Sequence, residues 1–111
     1  MNYKVIPLAR FQQEAKRLAK KYPSLKKDLE SLEKQLSTNP ESGTSLRNNT
    51  YKIRIAIKSK GRGKSGGGRV ITYHLSENKT VYLMTIYDKS EIDSIDARIL
   101  RQLVKSILDE L

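Results

Sequence analysis

Between residues 42 and 76 the chain carries eight cations and no acid: Arg47, Lys52, Arg54, Lys58, Lys60, Arg62, Lys64 and Arg69. Glycines at 61, 63, 66, 67 and 68 interleave with the last of them. Residues 1–41 hold nine basic and five acidic side chains, and residues 77–111 hold five and seven, so most of the net charge of +10 belongs to the middle. Uncompensated positive charge opposes folding through self-repulsion, and a block of this kind points to a polyanionic partner. A phosphate backbone is the usual one. The plain alternative is a solvated cationic face.

Two phosphate-binding motifs are imitated here and both fail on context. Gly61-Arg62-Gly63-Lys64-Ser65-Gly66 fits G-x-G-x-x-G. That fingerprint needs a helix immediately afterwards to aim its N-terminus at pyrophosphate, whereas Arg69-Val70-Ile71-Thr72-Tyr73 reads as a strand. Gly63-Lys64-Ser65 imitates the end of a P-loop, but Lys58 stands where that motif requires glycine. Dinucleotide and NTPase sites are therefore excluded. Cations two apart at 60, 62 and 64, in a glycine-rich backbone free to take left-handed angles, suit a loop that moulds to a phosphate chain. A disordered hairpin loop is the alternative.

A length of 111 residues predicts one domain, 1–111. Without cysteine there is no disulfide framework or thiolate metal site, and a single histidine, His74, precludes a two-histidine acid–base pair. No apolar run approaches the ~20 residues of a membrane span. One early lysine with no apolar run after it predicts no secretory signal, so a cytoplasmic location is expected.

The elements that must position the cations follow from periodicity. Asn2–Pro7 reads as a strand. Phe11, Ala15, Leu18, Ala19 and Tyr22 mark one helical face, which Pro23 ends. Ser24 can cap a second helix with Leu25, Leu29, Leu32 and Leu36 on its core face, and an antiparallel helix pair is expected. Residues 39–50 read as a polar loop. Tyr51, Ile53, Ile55 and Ile57 alternate with Lys52, Arg54, Ala56 and Lys58, giving a strand with one apolar and one cationic face. Arg69–Leu75 and Thr80–Tyr87 form a hairpin, with Tyr87 sharing the parity of Val81 and Leu83. Tyr73 belongs with Ile71 in the core and His74 on the strand surface. Ser94 or Asp96 caps a last helix, whose Ile95, Ile99, Leu103, Ile107 and Leu111 face, widened by Leu100, Val104 and Leu108, predicts substantial burial. The order β-α-α-β-β-β-α describes a small α+β domain: an antiparallel sheet, two N-terminal helices and a C-terminal helix.

Three stretches together resemble a known family: Tyr51-Lys52-Ile53-Arg54; Lys58 to Ile71, with its K-G-x-G-K-x-G-G-x-R-V-I string; and Val81 to Glu91, with Ile86-Tyr87-Asp88-Lys89-Ser90-Glu91. They are similar to the HigB-like branch of the RelE/ParE toxin superfamily, over roughly residues 46–92. The resemblance implies the RelE-like fold and the toxin of a type II toxin–antitoxin pair. It implies a ribosome-dependent endoribonuclease that cuts messenger RNA in the A site and needs no metal or other cofactor. It also implies a cognate antitoxin, expected to be a helix-turn-helix protein, with operator DNA met only through the antitoxin complex. Two other functions stay open: ParE-like inhibition of DNA gyrase, and a non-catalytic basic module that holds nucleic acid.

Metal-free RNA cleavage proceeds by attack of a ribose 2′-hydroxyl on the adjacent phosphorus. It needs a base for the 2′ proton, cations for the phosphorane and a donor to the leaving 5′ oxygen. With one histidine, this falls to Lys, Arg and Tyr; a lysine among cations loses preference for its charged form, and arginine stays charged. By resemblance Arg69 contacts the scissile phosphate, Lys58 and Lys60 supply base or clamp, and Tyr87 and Lys89 position or protonate the leaving oxygen. Ser90 stands where some RelE members carry an arginine, which leaves the division between Lys89 and Arg69 open. Arg54, Arg62 and Lys64 are expected as phosphate anchors.

Overall fold

The computed structural model describes residues 2–110. The elements are β1 (Lys4–Pro7), α1 (Ala9–Lys21), α2 (Leu25–Thr38), β2 (Thr44–Ser45), β3 (Thr50–Ile55), β4 (Gly68–Leu75), β5 (Thr80–Asp88) and α3 (Ala97–Asp109). Short 3-10 turns at Lys58–Lys60 and Ser76–Asn78 join the last strands. The order is the expected one with a strand added: the polar 39–50 segment contains β2, whose Thr44 and Ser45 pair with Lys52 and Tyr51. The sheet runs β1-β5-β4-β3-β2. It is mixed and not wholly antiparallel, because β1 lies parallel to β5.

Periodicity divides the core between the two faces of this sheet. Phe11, Leu18, Leu25, Leu32 and Leu36 of α1 and α2 pack with Ile53, Ile55, Val70, Val81, Leu83 and Ile86. Leu18, Leu25 and Leu36 are fully buried, each such side chain contributing roughly 1.5–3 kcal/mol through removal from water. On the opposite face Ile71, Tyr73, Met84 and Tyr87 pack beneath Ile107 of α3.

Tyr87 therefore does not share a face with Val81 and Leu83. The β4–β5 register pairs Ile71 with Thr85 but Thr72 with Leu83, skipping Met84. This bulge reverses the alternation beyond it. Glu14 of α1 accepts both from the Ile86 amide (3.2 Å) and from the Thr85 hydroxyl (2.6 Å), satisfying groups at the irregularity.

Three further expectations are corrected. Ser24 makes no capping bond to α2; its hydroxyl donates to Asp28 at 2.7 Å and accepts from the Ser59 amide at 2.8 Å, tying α2 to the 3-10 turn. His74 is buried rather than on the strand surface, edge-on to Tyr3, with Nδ1 3.5 Å from Glu41 and Nε2 without a hydrogen-bond partner among the described residues. Asp96 caps α3 by accepting from the Arg98 amide at 2.8 Å. Yet α3 buries only Ile107, with Ile95, Leu100, Leu103 and Val104 partly covered and Leu108 exposed; Leu111 lies outside the described residues. The physical reason is the sheet face beneath it. Lys52, Arg54 and Arg69 occupy the rest of that face, and leucines gain nothing by covering charges.

Candidate functional site

The sheet register sets three candidate side chains abreast. Arg54 of β3 stands opposite Arg69 of β4, and Arg69 opposite Tyr87 of β5. Directly opposed residues project from the same face, here the face that carries α3. Arg54 is exposed, whereas Arg69 and Tyr87 keep only 5% and 3% of their surface in solvent.

Arg69 organises the glycine-rich loop from beneath. Its guanidinium donates to the carbonyls of Lys64 (2.9 Å), Gly68 (3.1 Å) and Ser65 (3.3 Å). Three of the five N–H groups of an arginine are thereby used, and two remain. Close packing at the loop's end explains one glycine: a Cβ on Gly67 would lie 2.1 Å from the Ile55 carbonyl oxygen. Burial pushes the Tyr87 hydroxyl above its ordinary pKa, and the neighbouring Arg69 charge pulls the other way without cancelling it. The phenol therefore stays protonated through neutral pH, as a proton donor must.

Lys60 is placed elsewhere. Its ammonium lies 2.6 Å from Asp88 and 3.1 Å from the Ser90 hydroxyl, on the side of the sheet covered by α1. Asp88 is fully buried and also accepts from the Tyr22 hydroxyl and, at 2.9 Å, from the Ser90 amide. Burial pushes its carboxyl up, but the bonds from Lys60, Tyr22 and Ser90 outweigh this and hold it well below the usual carboxylate range. Lys89 lies just beyond β5, with its ammonium 3.4 Å from Asp93 and its amide donating to Gly67. Arg62 is exposed at the loop surface, its side chain lying against Gly66.

The other cations meet at the sheet edge. A cleft of about 390 Å³ runs between α2 and β3, lined by Ser31, Leu32 and Gln35 on one side and Lys52, Arg54 and Ala56 on the other. Gly43 and Thr44 border it, as do Lys58 and Lys64. Its one acid, Asp28, is buried and accepts from the Ser24 hydroxyl and, at 3.2 Å, from the Lys58 amide.

The structure thus brings together Arg54, Arg69 and Tyr87 in one row and Arg54, Lys58 and Lys64 in one cleft. It separates Lys60, which faces Asp88, and sets Lys89 and Arg62 at the margins. Two residues were not foreseen. Lys52 was visible as a strand cation, but its place in the cleft depends on where β2 ends. Asp88 stood in the sequence only as a member of the Ile86–Glu91 stretch, and its partners come from Tyr22 at the end of α1, from the turn 28 residues earlier and from Ser90.

No family model matches the sequence. The structure is similar to an arginine-to-alanine double mutant of the Escherichia coli toxin RelE in the free state, with TM-score 0.64 and 15% identity over 96% of this chain and 99% of that one. It is similar to the isolated E. coli RelE toxin, with TM-score 0.58 and 18% identity over 95% and 98% of the two chains. It is also similar to a chain of the RelBE2 toxin–antitoxin complex from Mycobacterium tuberculosis, with TM-score 0.57 and 17% identity over 79% and 92%. The chain therefore has the fold of the RelE toxins.

Proposed function

We propose that this chain is the toxin of a type II toxin–antitoxin pair and acts as a ribosome-dependent endoribonuclease on messenger RNA. The observation that carries the reading is the row Arg54–Arg69–Tyr87 at the root of the basic loop, on a fold shared with RelE. The K-G-x-G-K-x-G-G-x-R-V-I string favours the HigB-like branch within that fold.

In this mechanism a ribose 2′-oxygen attacks the adjacent phosphorus, the bond from phosphorus to the 5′ oxygen breaks, and a 2′,3′-cyclic phosphate remains. Lys58, in its neutral amine form, accepts the 2′ proton and becomes the ammonium. Arg54 and Arg69 hold the charge that gathers on the phosphorane oxygens, and Tyr87 donates a proton to the departing 5′ oxygen. Lys64 and Arg62 anchor flanking phosphates, Lys60 steadies the loop from Asp88, and Lys89 positions the leaving side. A scissile phosphate replaces the loop carbonyls at Arg69, trading neutral acceptors for a charged one that makes stronger bonds. Ribosomal ordering of the message supplies the alignment that a small open site lacks.

The test is a translating extract with a defined messenger. Cleavage within codons at the A site, lost in Arg69→Ala and Tyr87→Phe while ribosome binding persists, supports the reading. Intact transcripts with DNA damage on expression in cells would instead support the gyrase alternative. Parallel loss of binding, with no cleavage by the parent, would leave a basic nucleic-acid-binding module.

A further inference from the structure

On the sheet face that carries the row, β3 leads from Arg54 through Lys52 to Thr50, which stand opposite Arg69, Ile71 and Tyr73 in turn. Each of these alternate steps is about 6.6 Å, close to the separation of successive phosphates on an extended single strand. The line ends at a second pocket, of about 260 Å³. Leu46, Asn48 and Thr50 form one wall and Leu100 and Val104 of α3 the other, with one arginine on each side, Arg47 and Arg101. The helix does not close this space. It is seated by Ile107 near its C-terminal end, while Leu100 and Val104 stay half-covered and Leu46 is exposed.

The sheet-side wall is held in an unusual conformation. Arg47, Asn48 and Asn49 have φ of 75°, 52° and 62°, three left-handed residues in succession. Asparagine tolerates that region, whereas arginine is strained in it. Main-chain bonds fix the turn: the Leu46 amide donates to the Thr50 carbonyl at 2.7 Å, the Thr50 amide to Arg47 at 3.1 Å, and the His74 amide to Asn49 at 2.8 Å. Strain that its surroundings maintain is a reason to look for function. The Asn48 carbonyl accepts from the Thr50 hydroxyl at 3.3 Å, but its side-chain amide has no hydrogen-bond partner among the described residues. Asp96, at the start of α3, is paired with Arg98 at 3.0 Å, and among the described residues no carboxylate lies within ion-pair distance of Arg47 or Arg101.

We propose that this pocket receives an unstacked nucleobase of the RNA, two nucleotides along the strand from the phosphate held at Arg69. Lys52 holds the intervening phosphate. The aliphatic walls take up the apolar surface of the base, an arginine plane lies against its face, and the Asn48 amide, with a donor and an acceptor side by side, pairs with its edge. Single-stranded RNA is read in this way, by bases splayed from the stack onto guanidinium planes and hydrogen-bonded along their edges. An anion alone gains nothing from Leu100 and Val104, and an apolar protein helix would have to bury two arginine charges. A flat heterocycle joined to a phosphate chain uses both the walls and the cations. The inference rests on the proposed function in taking RNA as the ligand, and it gives that site a means of choosing sequence at a distance from the bond it cuts.

The experiment is fluorescence anisotropy on the full chain with a 2′-O-methyl RNA hexanucleotide, which lacks the attacking hydroxyl, and with an abasic residue moved through each position. Loss of the base at one position should weaken binding about tenfold or more, and loss elsewhere far less. Val104→Trp fills the pocket and should erase that difference. Two variants at exposed positions decide the matter even if the tryptophan variant does not fold. Asn48→Gly keeps the left-handed backbone and removes the amide, so it should flatten discrimination among the four bases at the sensitive position. Arg101→Ala should weaken the complete hexanucleotide several-fold and leave the abasic one unchanged. A 4-thiouridine at the sensitive position should cross-link within residues 46–50 or 97–104. Equal weakening at every position, base discrimination that survives Asn48→Gly, or a cross-link elsewhere overturns the proposal. Messenger cleavage by the same preparation is scored separately: cleavage without a sensitive position rejects only the base pocket, and a sensitive position with intact transcripts rejects only the nuclease reading.

Discussion

Arg69 and Tyr87 oppose each other on β4 and β5, and both are almost wholly covered, so the most buried cation in the basic block sits beside a buried phenol. An exposed cation only grips a polyanion, whereas a buried arginine also shapes the loop that surrounds it. The three carbonyls that Arg69 binds belong to Lys64, Ser65 and Gly68, which makes this residue the organiser of the loop whose surface carries Arg62 and Lys64.

Arg69→Ala should therefore cost stability as well as activity. Hydrogen bonds to a charged group are each worth about 1.5–3 kcal/mol, and loop carbonyls can recover part of that from water. A net loss of about 2–4 kcal/mol is expected by urea unfolding, with faster proteolysis between residues 61 and 66. Arg54→Ala, at the exposed end of the row, should stay within about 0.5 kcal/mol of the parent while losing RNA affinity. Equal stability losses in the two variants would refute the organising role.

Tyr87→Phe keeps the packing and removes the proton. If the phenol protonates the 5′ oxygen, cleavage should fall about 10²–10⁴-fold with little change in ribosome affinity. Because burial raises the Tyr87 pKa, the alkaline limb of the parent's rate profile attributable to this residue should lie above the ordinary value of about 10. A pH–rate profile of single-turnover cleavage reads both. A limb for this group well below pH 10 would remove Tyr87 from the donor role.

Periodicity was enough for the helices, the three long strands and the faces that Leu18, Leu32, Ile53 and Val70 bury. It was not enough for Tyr87, because counting by twos carries no information about a skipped Met84. Nor does it reveal β2, since Thr44 and Ser45 are two polar residues whose strand geometry comes from pairing with Lys52 and Tyr51. The site was legible as composition: of the cations named in advance, all but Lys89 lie in the acid-free segment 42–76. Which cations converge was not, because Lys60 and Arg69 are nine residues apart and their partners, Asp88 and the loop carbonyls, lie on opposite sides of the sheet. Only the three-dimensional position of a buried acid separates an anchored lysine from a free one.

Glu14 gives the β5 bulge a side-chain partner, and its removal should be felt across the sheet. Glu14→Ala leaves the Ile86 amide and the Thr85 hydroxyl without their acceptor. An unsatisfied buried group costs about 1–3 kcal/mol, so urea unfolding should register a loss in that range. Glu14→Gln retains a carbonyl oxygen and should lose less than half as much. An alanine variant as stable as the parent would show that the bulge holds itself.

Asp88 predicts a pH dependence whose sign follows from its partners. Its pKa is depressed in the folded chain, since the bonds from Lys60, Tyr22 and Ser90 outweigh the cost of burial. A carboxyl with a depressed folded pKa contributes stability that is fully present above its unfolded value of about 3.9. That contribution disappears as pH falls below 3.9 towards and through the folded value. The parent should accordingly lose stability steeply below about pH 4, and Asp88→Asn should show a shallower slope there. At pH 7 the same variant leaves the Lys60 ammonium, with a side chain 10% exposed, without its counter-charge. Breaking a buried pair from one side costs about 3–5 kcal/mol. Lys60→Met paired with Asp88→Leu removes both charges and should recover much of that loss, because neither charge is then left buried alone. Urea unfolding at pH 7 and pH 3.5 measures all of these, and an Asp88→Asn variant with the parent's acid slope would show that other carboxylates set the pH response.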